Sequence, residues 1–272
     1  MFSSLLRKFK SNNDKAQSFK KAVPLIINDP KDTEDFYIDY VDPCYCGSNK
    51  YFKSCCGLIG DQNKAPYGIF VYENYLSKEK INEILEIAVL SPAEHLKVIE
   101  KLGSSSDKIV TRDDELRVSE RIILGDYYPR LVRIINTAFQ DLVAKSFARE
   151  IEWFEPPSLL RYQPGGFYYS HADSENMNFN TGYWNKVIDR DISLLLYLND
   201  DFSGGDLLFN KLNYRIRPKP GMAVLFPSDH RFMHEAMPVT RGVRYAIVSW
   251  ASVQGVNKVQ QQPGANIIYP SS

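Results

Sequence analysis

The stretch Tyr162-Gln-Pro-Gly-Gly-Phe-Tyr-Tyr-Ser-His-Ala-Asp173 decides the reading of this chain. His171 and Asp173 are strong metal ligands separated by one residue. On a β-strand, residues i and i+2 project from the same face and can grip one ion together, which a helix does not allow at that spacing. Two ligands on one face need a third. His234 supplies it within His234-Glu-Ala-Met-Pro-Val-Thr-Arg-Gly-Val-Arg244. The set reads as two histidines and one carboxylate, the geometry that leaves positions open on Fe(II) for a co-substrate and O2. His230 competes for the third place. His234 is preferred because it alone is followed by Pro-Val-x-x-Gly-x-Arg.

Around that stretch, from Trp153 onward, short strands are punctuated by Pro and Gly. Ser158 to Tyr162, Phe167 to Asp173, Ile192 to Leu198, Asp206 to Phe209, Tyr214 to Arg217, Ala223 to Phe226 and Tyr245 to Trp250 supply two facing sheets, a jelly roll. The fold class expected is α+β, mainly β: a double-stranded β-helix with supporting helices packed on one face and a small N-terminal zinc knuckle. Upstream, Tyr67 to Ser77 is a strand-like run with a turn. Ser77 is an N-cap for a helix carrying Ile81, Ile84, Leu85, Ala88 and Val89 at helical spacing. A second short helix is expected around Pro92 to Leu102. Arg117-Val-Ser119 begins either an edge strand or the long helical segment through Leu131, Ile135 and Phe139, which Pro129 interrupts near its first turn. The division expected is 1–35 basic extension, 36–62 zinc knuckle, 63–253 catalytic domain (helical support 77–150, jelly-roll core 151–253) and 254–272 polar tail.

With these residues in view, the chain from about residue 67 to 252 resembles the 2-oxoglutarate and Fe(II)-dependent oxygenases, most closely their prolyl 4-hydroxylase-like branch. The motifs occur in order: Tyr162-x-x-Gly-Gly-x-Tyr-x-x-His171-x-Asp173; Arg190 ahead of Tyr197-Leu-Asn199; Phe202-Ser-Gly-Gly-Asp206 with Phe209; Pro218, Gly221 and Phe226; and His234 through Arg244 before Trp250. Asp206-Leu-Leu-Phe departs from the usual Glu-Thr-x-Phe, and Arg244 stands where the animal collagen enzymes use lysine. The resemblance implies that His171, Asp173 and His234 bind Fe(II). Arg244 would pair with the distal carboxylate of 2-oxoglutarate, with Tyr162 donating its hydroxyl to the same molecule; O2 is the oxidant and ascorbate the reductant. The reaction implied is hydroxylation with release of succinate and CO2. A rigid guanidinium fork suits a carboxylate in two places. Arg241 is the alternative partner, although its Thr240-Gly242 surroundings read as a solvated turn. His95 and His230 read as surface or satisfied core residues, Trp250 as core. Of Tyr168 and Tyr169, one faces the site.

All four cysteines fall in Cys44-Tyr-Cys46-Gly-Ser-Asn-Lys-Tyr-Phe-Lys-Ser-Cys55-Cys56-Gly. A disulfide framework would spread its cysteines through the fold, so four thiolates around one structural Zn is the better explanation. The segment resembles the SEC-C motif, a small zinc knuckle attached to many proteins. Tyr45 and Asn49 depart from its pattern, but all four ligand positions match.

Thirty-three basic residues balance thirty-three acidic ones, which removes any global electrostatic case for nucleic acid or an anionic membrane. The basic run Arg7, Lys8, Lys10, Lys15, Lys20 and Lys21 reads as a solvated extension. With no apolar run of membrane length and no signal sequence, the expected location is cytoplasmic. The substrate expected is a prolyl residue in a protein or peptide. The segment 174–190, rich in Asn and aromatics, is expected as a lid loop. A small molecule such as a free amino acid is the alternative substrate, and a non-catalytic binding module the third reading.

Overall fold

The computed structural model describes residues 33–34, 50–51, 54, 65–96, 98–101, 109–112, 116–260 and 266–271. Cys44, Cys46, Cys55 and Cys56 lie outside the described residues, and so does the expected zinc knuckle.

Two sheets form the body. The larger is eight-stranded and runs, in spatial order, Phe70–Tyr72, Ala223–Pro227, Ile192–Tyr197, Arg244–Val253, Ser158–Tyr162, Glu120–Ile122 and Ala93–His95, with Ile151–Phe154 also paired to Arg244–Val253. The smaller is five-stranded: Tyr214–Ile216, Leu207–Phe209, His234–Ala236, Phe167–His171 and Arg117–Val118. The pairing partners within both sheets are antiparallel, and sequence neighbours are split between the sheets as a jelly roll requires.

The large sheet is buried on both faces, which explains why Ile192 to Leu198, Ser193 apart, is apolar without alternation. Leu194, Leu196, Leu159, Ile247, Ala251 and Val253 pack against two helices in the main core. From the neighbouring residues Leu195, Tyr197, Leu160, Tyr162, Ala246 and Val248, the opposite face closes on the small sheet. That second interface is where a cavity opens.

The helix α1, Lys78–Leu90, starts at Ser77, whose Oγ accepts the Lys80 amide at 3.4 Å. The helix α2, Tyr128–Phe147, has Pro129 in its first turn, where the missing N–H costs nothing. Its apolar stripe (Leu131, Ile135, Phe139, Leu142) carries the contact with the sheet.

Three expectations are corrected. The short helix around Pro92 to Leu102 is strand instead: Ala93–His95 pairs with Glu120–Ile122, and Val98–Lys101 with Ile109–Arg112. Pairing to the sheet overrides a local preference that was weak to begin with. The helical support 77–150 is therefore two helices with strands between them. The segment 174–190 is not an open loop; it holds a hairpin, Glu175–Asn178 with Tyr183–Lys186, whose outer edge pairs with Thr33–Glu34. The C-terminal segment is docked: Asp189 accepts the amides of Val259 (2.9 Å) and Gln260 (3.0 Å), and Ile268 exchanges backbone hydrogen bonds with Phe154.

Candidate active site

His171 closes the strand Phe167–His171, and His234 opens the strand His234–Ala236; the two lie directly opposite each other. One strand advances three residues, Tyr168 to His171, while its partner advances two, Ala236 to His234, so a bulge sits beside the site. Asp173 lies past the strand end, not on it. Its amide donates to the Ser228 carbonyl at 3.0 Å, and that anchor does what the strand was expected to do.

The side chains converge. Donor atoms of His171, Asp173 and His234 all lie within 4.8 Å of one another. His171 Nε2 is 3.5 Å from Asp173 Oδ1, and His234 Nε2 is 3.7 Å from Asp173 Oδ2. On the far side of each ring, His171 Nδ1 donates to the Tyr169 carbonyl at 2.7 Å and His234 Nδ1 to the Phe232 carbonyl at 3.2 Å. A carbonyl only accepts, so each ring carries a proton on Nδ1 and turns its Nε2 inward. Tyr168 stacks on His171 with centroids 3.6 Å apart, and the Phe226 edge meets His234 at 4.7 Å.

Burial pulls the His234 imidazole down to about 4, against the opposing pull of Asp173, so the ring is neutral at pH 7. For Asp173, burial would raise the pKa, but the adjoining His234 and His171 rings and the Arg190 guanidinium outweigh it and hold the carboxyl well below its ordinary range. A neutral His234 imidazole and an ionised Asp173 carboxylate are the protonation states that ligation needs.

The cavity is lined by the triad together with Tyr162, Tyr168, Tyr197, Arg117, Arg244 and Trp250. Arg244 begins the strand Arg244–Val253 opposite Tyr162, is 2 % exposed, and lies with its guanidinium carbon 3.9 Å from the Tyr162 ring centroid. Its Nη1 donates to the Gly205 carbonyl at 2.7 Å, while its buried Nε has no partner. The Gly204-Gly205 backbone that delivers this carbonyl has φ +69° and +68°, and a Cβ on Gly204 would sit 2.2 Å from the Pro238 carbonyl oxygen; glycine is required there. A buried cation with an idle donor, on the wall of a cavity holding three convergent metal ligands, fits the carboxylate end of a 2-oxo acid as well as a divalent metal.

Residues 157–252 match the 2OG-Fe(II) oxygenase superfamily. The chain is also similar to human prolyl 3-hydroxylase 3, 35% identical over 159 residues, which is 55% of this chain and 20% of that protein. A PKHD-type hydroxylase of Sphingopyxis alaskensis is 32% identical over 143 residues, 49% of this chain and 62% of the relative. The chain thus spans about a fifth of the length of the prolyl 3-hydroxylase it matches. Among solved structures, a Trichoplax adhaerens prolyl hydroxylase in complex with a hypoxia inducible factor peptide superposes with a TM-score of 0.50 at 20% identity, covering 68% of this chain and 84% of the other. Over that part of its length the chain shares that fold.

The other sequence candidates separate cleanly. His230 is 2 % exposed, donates Nδ1–H to Glu175 at 2.5 Å and stacks on Trp184 at 5.2 Å; it is a satisfied core residue. His95 is exposed and Arg241 points to solvent. Tyr168 turns to the cavity and Tyr169 is 56 % exposed, the expected alternation. Trp250, expected in the core, is on the cavity wall with the Arg190 guanidinium 3.8 Å from its ring centroid, and Arg190 is held by both Glu155 oxygens at 2.5 and 2.7 Å. Sequence reading missed Tyr197, Arg117, Ser193 and Ser228. Ser193 alone left a trace: it is the polar residue in an apolar strand.

Proposed function

We propose that this chain is an Fe(II)- and 2-oxoglutarate-dependent dioxygenase that hydroxylates prolyl residues in a protein or peptide, releasing succinate and CO2. The observation that carries the reading is the convergence of His171 Nε2, His234 Nε2 and the Asp173 carboxylate in a cavity that also buries Arg244 with an unpaired Nε. His171, Asp173 and His234 would hold the iron, which with 2-oxoglutarate and O2 supplies the oxidising power for C–H hydroxylation. The chain's part is to bind, orient and exclude. Arg244 would grip the distal carboxylate of 2-oxoglutarate through the donor left idle, with the Tyr162 ring packed against the guanidinium and its hydroxyl available to the same co-substrate. Tyr168 and Trp250 wall off the target residue from water. The hairpin Glu175–Asn178 with Tyr183–Lys186, tied down by the Glu175–His230 pair, would cover an extended peptide.

The similarity to prolyl hydroxylases supports the choice of proline, and a catalytic domain over 63–253 is part of the same proposal. So are ascorbate as reductant, a cytoplasmic location and a structural Zn held by Cys44, Cys46, Cys55 and Cys56; these rest on the sequence. No helix among the described residues is long and apolar enough to cross a membrane.

The test is incubation with cell lysate, Fe(II), ascorbate and 2-oxoglutarate, with His171→Ala as control, mapping one-oxygen mass increments on peptides. Increments on proline that vanish in the control are expected. Succinate release without any modified peptide would move the reading to a small-molecule substrate; neither product would sink the dioxygenase. Metal analysis of the same preparation should find about one zinc per chain, lost in Cys44→Ser.

A further inference from the structure

Ser193 lies in the run Ile192-Ser-Leu-Leu-Leu-Tyr197 with no solvent exposure. A buried hydroxyl costs free energy unless it is hydrogen-bonded. Here Ser193 Oγ donates to Asp173 Oδ2 at 2.6 Å. That uses its single proton, so in the 2.8 Å contact between the Ser193 and Ser228 hydroxyls Ser228 must be the donor. The hydroxyls therefore form a directed chain, Ser228 to Ser193 to Asp173, in which each bond polarises the next. Ser228 also fixes the backbone: its carbonyl accepts the amides of Asp173 and Ser174 at 3.0 Å each, and the Ser174 hydroxyl at 3.0 Å.

A carboxylate can meet a cation through one oxygen or through both. A strong donor on one oxygen biases the carboxylate toward meeting the cation through the other. We infer that Ser193 is a positioning residue whose hydrogen bond retains Asp173 Oδ2 and leaves Oδ1 as the one oxygen offered to a divalent metal. The inference rests on the metal-site reading given under the proposed function. Its consequence is functional: a carboxylate taking two positions would consume one of those needed by co-substrate or O2. Ser193 faces the cavity side of its strand, the same side as Leu195 and Tyr197, so the hydroxyl is aimed by the sheet and not by a loop.

Cobalt(II) titration of the full chain, followed by visible absorption without 2-oxoglutarate or substrate, reads this directly. Ser193→Ala is expected to bind Co(II) about 10–100-fold more weakly, the usual effect of losing a group that orients a ligand, with an altered ligand-field spectrum. Ser193→Thr keeps the hydroxyl and should recover both affinity and spectrum. Ser228→Ala removes the donor behind Ser193 and should give a smaller loss in the same direction; it carries the test if Ser193→Ala does not fold. Wild-type affinity and spectrum in Ser193→Ala, or in Ser228→Ala when that variant carries the test, would overturn the role, and so would a threonine variant as weak as the alanine one. A wild-type chain that takes up no Co(II) would overturn the metal site itself and Ser193's role with it, an outcome distinguishable from the others.

Discussion

At the residue scale Arg244 has the most to lose. Its guanidinium is buried against Tyr162, with one donor spent on Gly205 and Nε idle. A charge-assisted hydrogen bond is worth about 1.5–3 kcal/mol, so Arg244→Ala should raise the 2-oxoglutarate concentration needed for half-maximal turnover by roughly 10–100-fold. Arg244→Lys keeps the charge but not the fork and should fall between. Separate titrations of metal and 2-oxoglutarate check this; equal damage to both would make Arg244 a packing residue. The residues that sequence reading picked for this site (His171, Asp173, His234, Arg244 and Tyr162) are the ones the cavity brings together, because ligand pairs at strand spacing leave a pattern. Tyr197, Arg117 and Ser228 leave none. A lone polar residue becomes a wall of the site only once strands distant in sequence are paired.

Among the elements, α2 ends at an awkward residue. Ala148 caps it in the left-handed region at φ 52°, ψ 42°, its amide bonded to the Ala144 carbonyl at 3.1 Å. A side chain there costs about 1 kcal/mol, and glycine is the residue that pays no such penalty. Ala148→Gly should stabilise the protein by about 0.5–1 kcal/mol in urea unfolding; a destabilised variant would refute the strain. Both helices were legible from their 3.6-residue stripes, and Ser77 from its capping chemistry. The strands Ala93–His95 and Glu120–Ile122 were not, since each is three residues long and defined by a partner more than twenty positions away. The hairpin after Asp173 was read as a loop for a related reason: its Asn-rich composition is a turn signal, while its edge is satisfied by Thr33–Glu34.

For the molecule as a whole, acid should be the weak direction. Asp229 is buried, which alone would raise its pKa, but the Arg231 guanidinium bound to it and the nearby His230 bring it below the ordinary value. Glu120 is lowered chiefly by its hydrogen bond from Arg161. With folded values below the unfolded value of about 4, the unfolded chain binds protons first as pH falls, so stability is complete above that range and drains away below it. Urea midpoints should hold steady from pH 8 to about 5 and then decline; midpoints that stay flat to pH 3 would mean these pairs contribute nothing.

The three tryptophans are spread so that each watches a different part of this architecture. Trp153 is sealed within the large sheet, Trp184 rides on the hairpin against His230, and Trp250 forms the cavity wall beneath Arg190. Intrinsic fluorescence of single-tryptophan variants therefore gives the protein three built-in, label-free reporters. Emission from Trp250 follows occupancy of the cavity, emission from Trp184 follows the hairpin, and Trp153 remains as the internal reference.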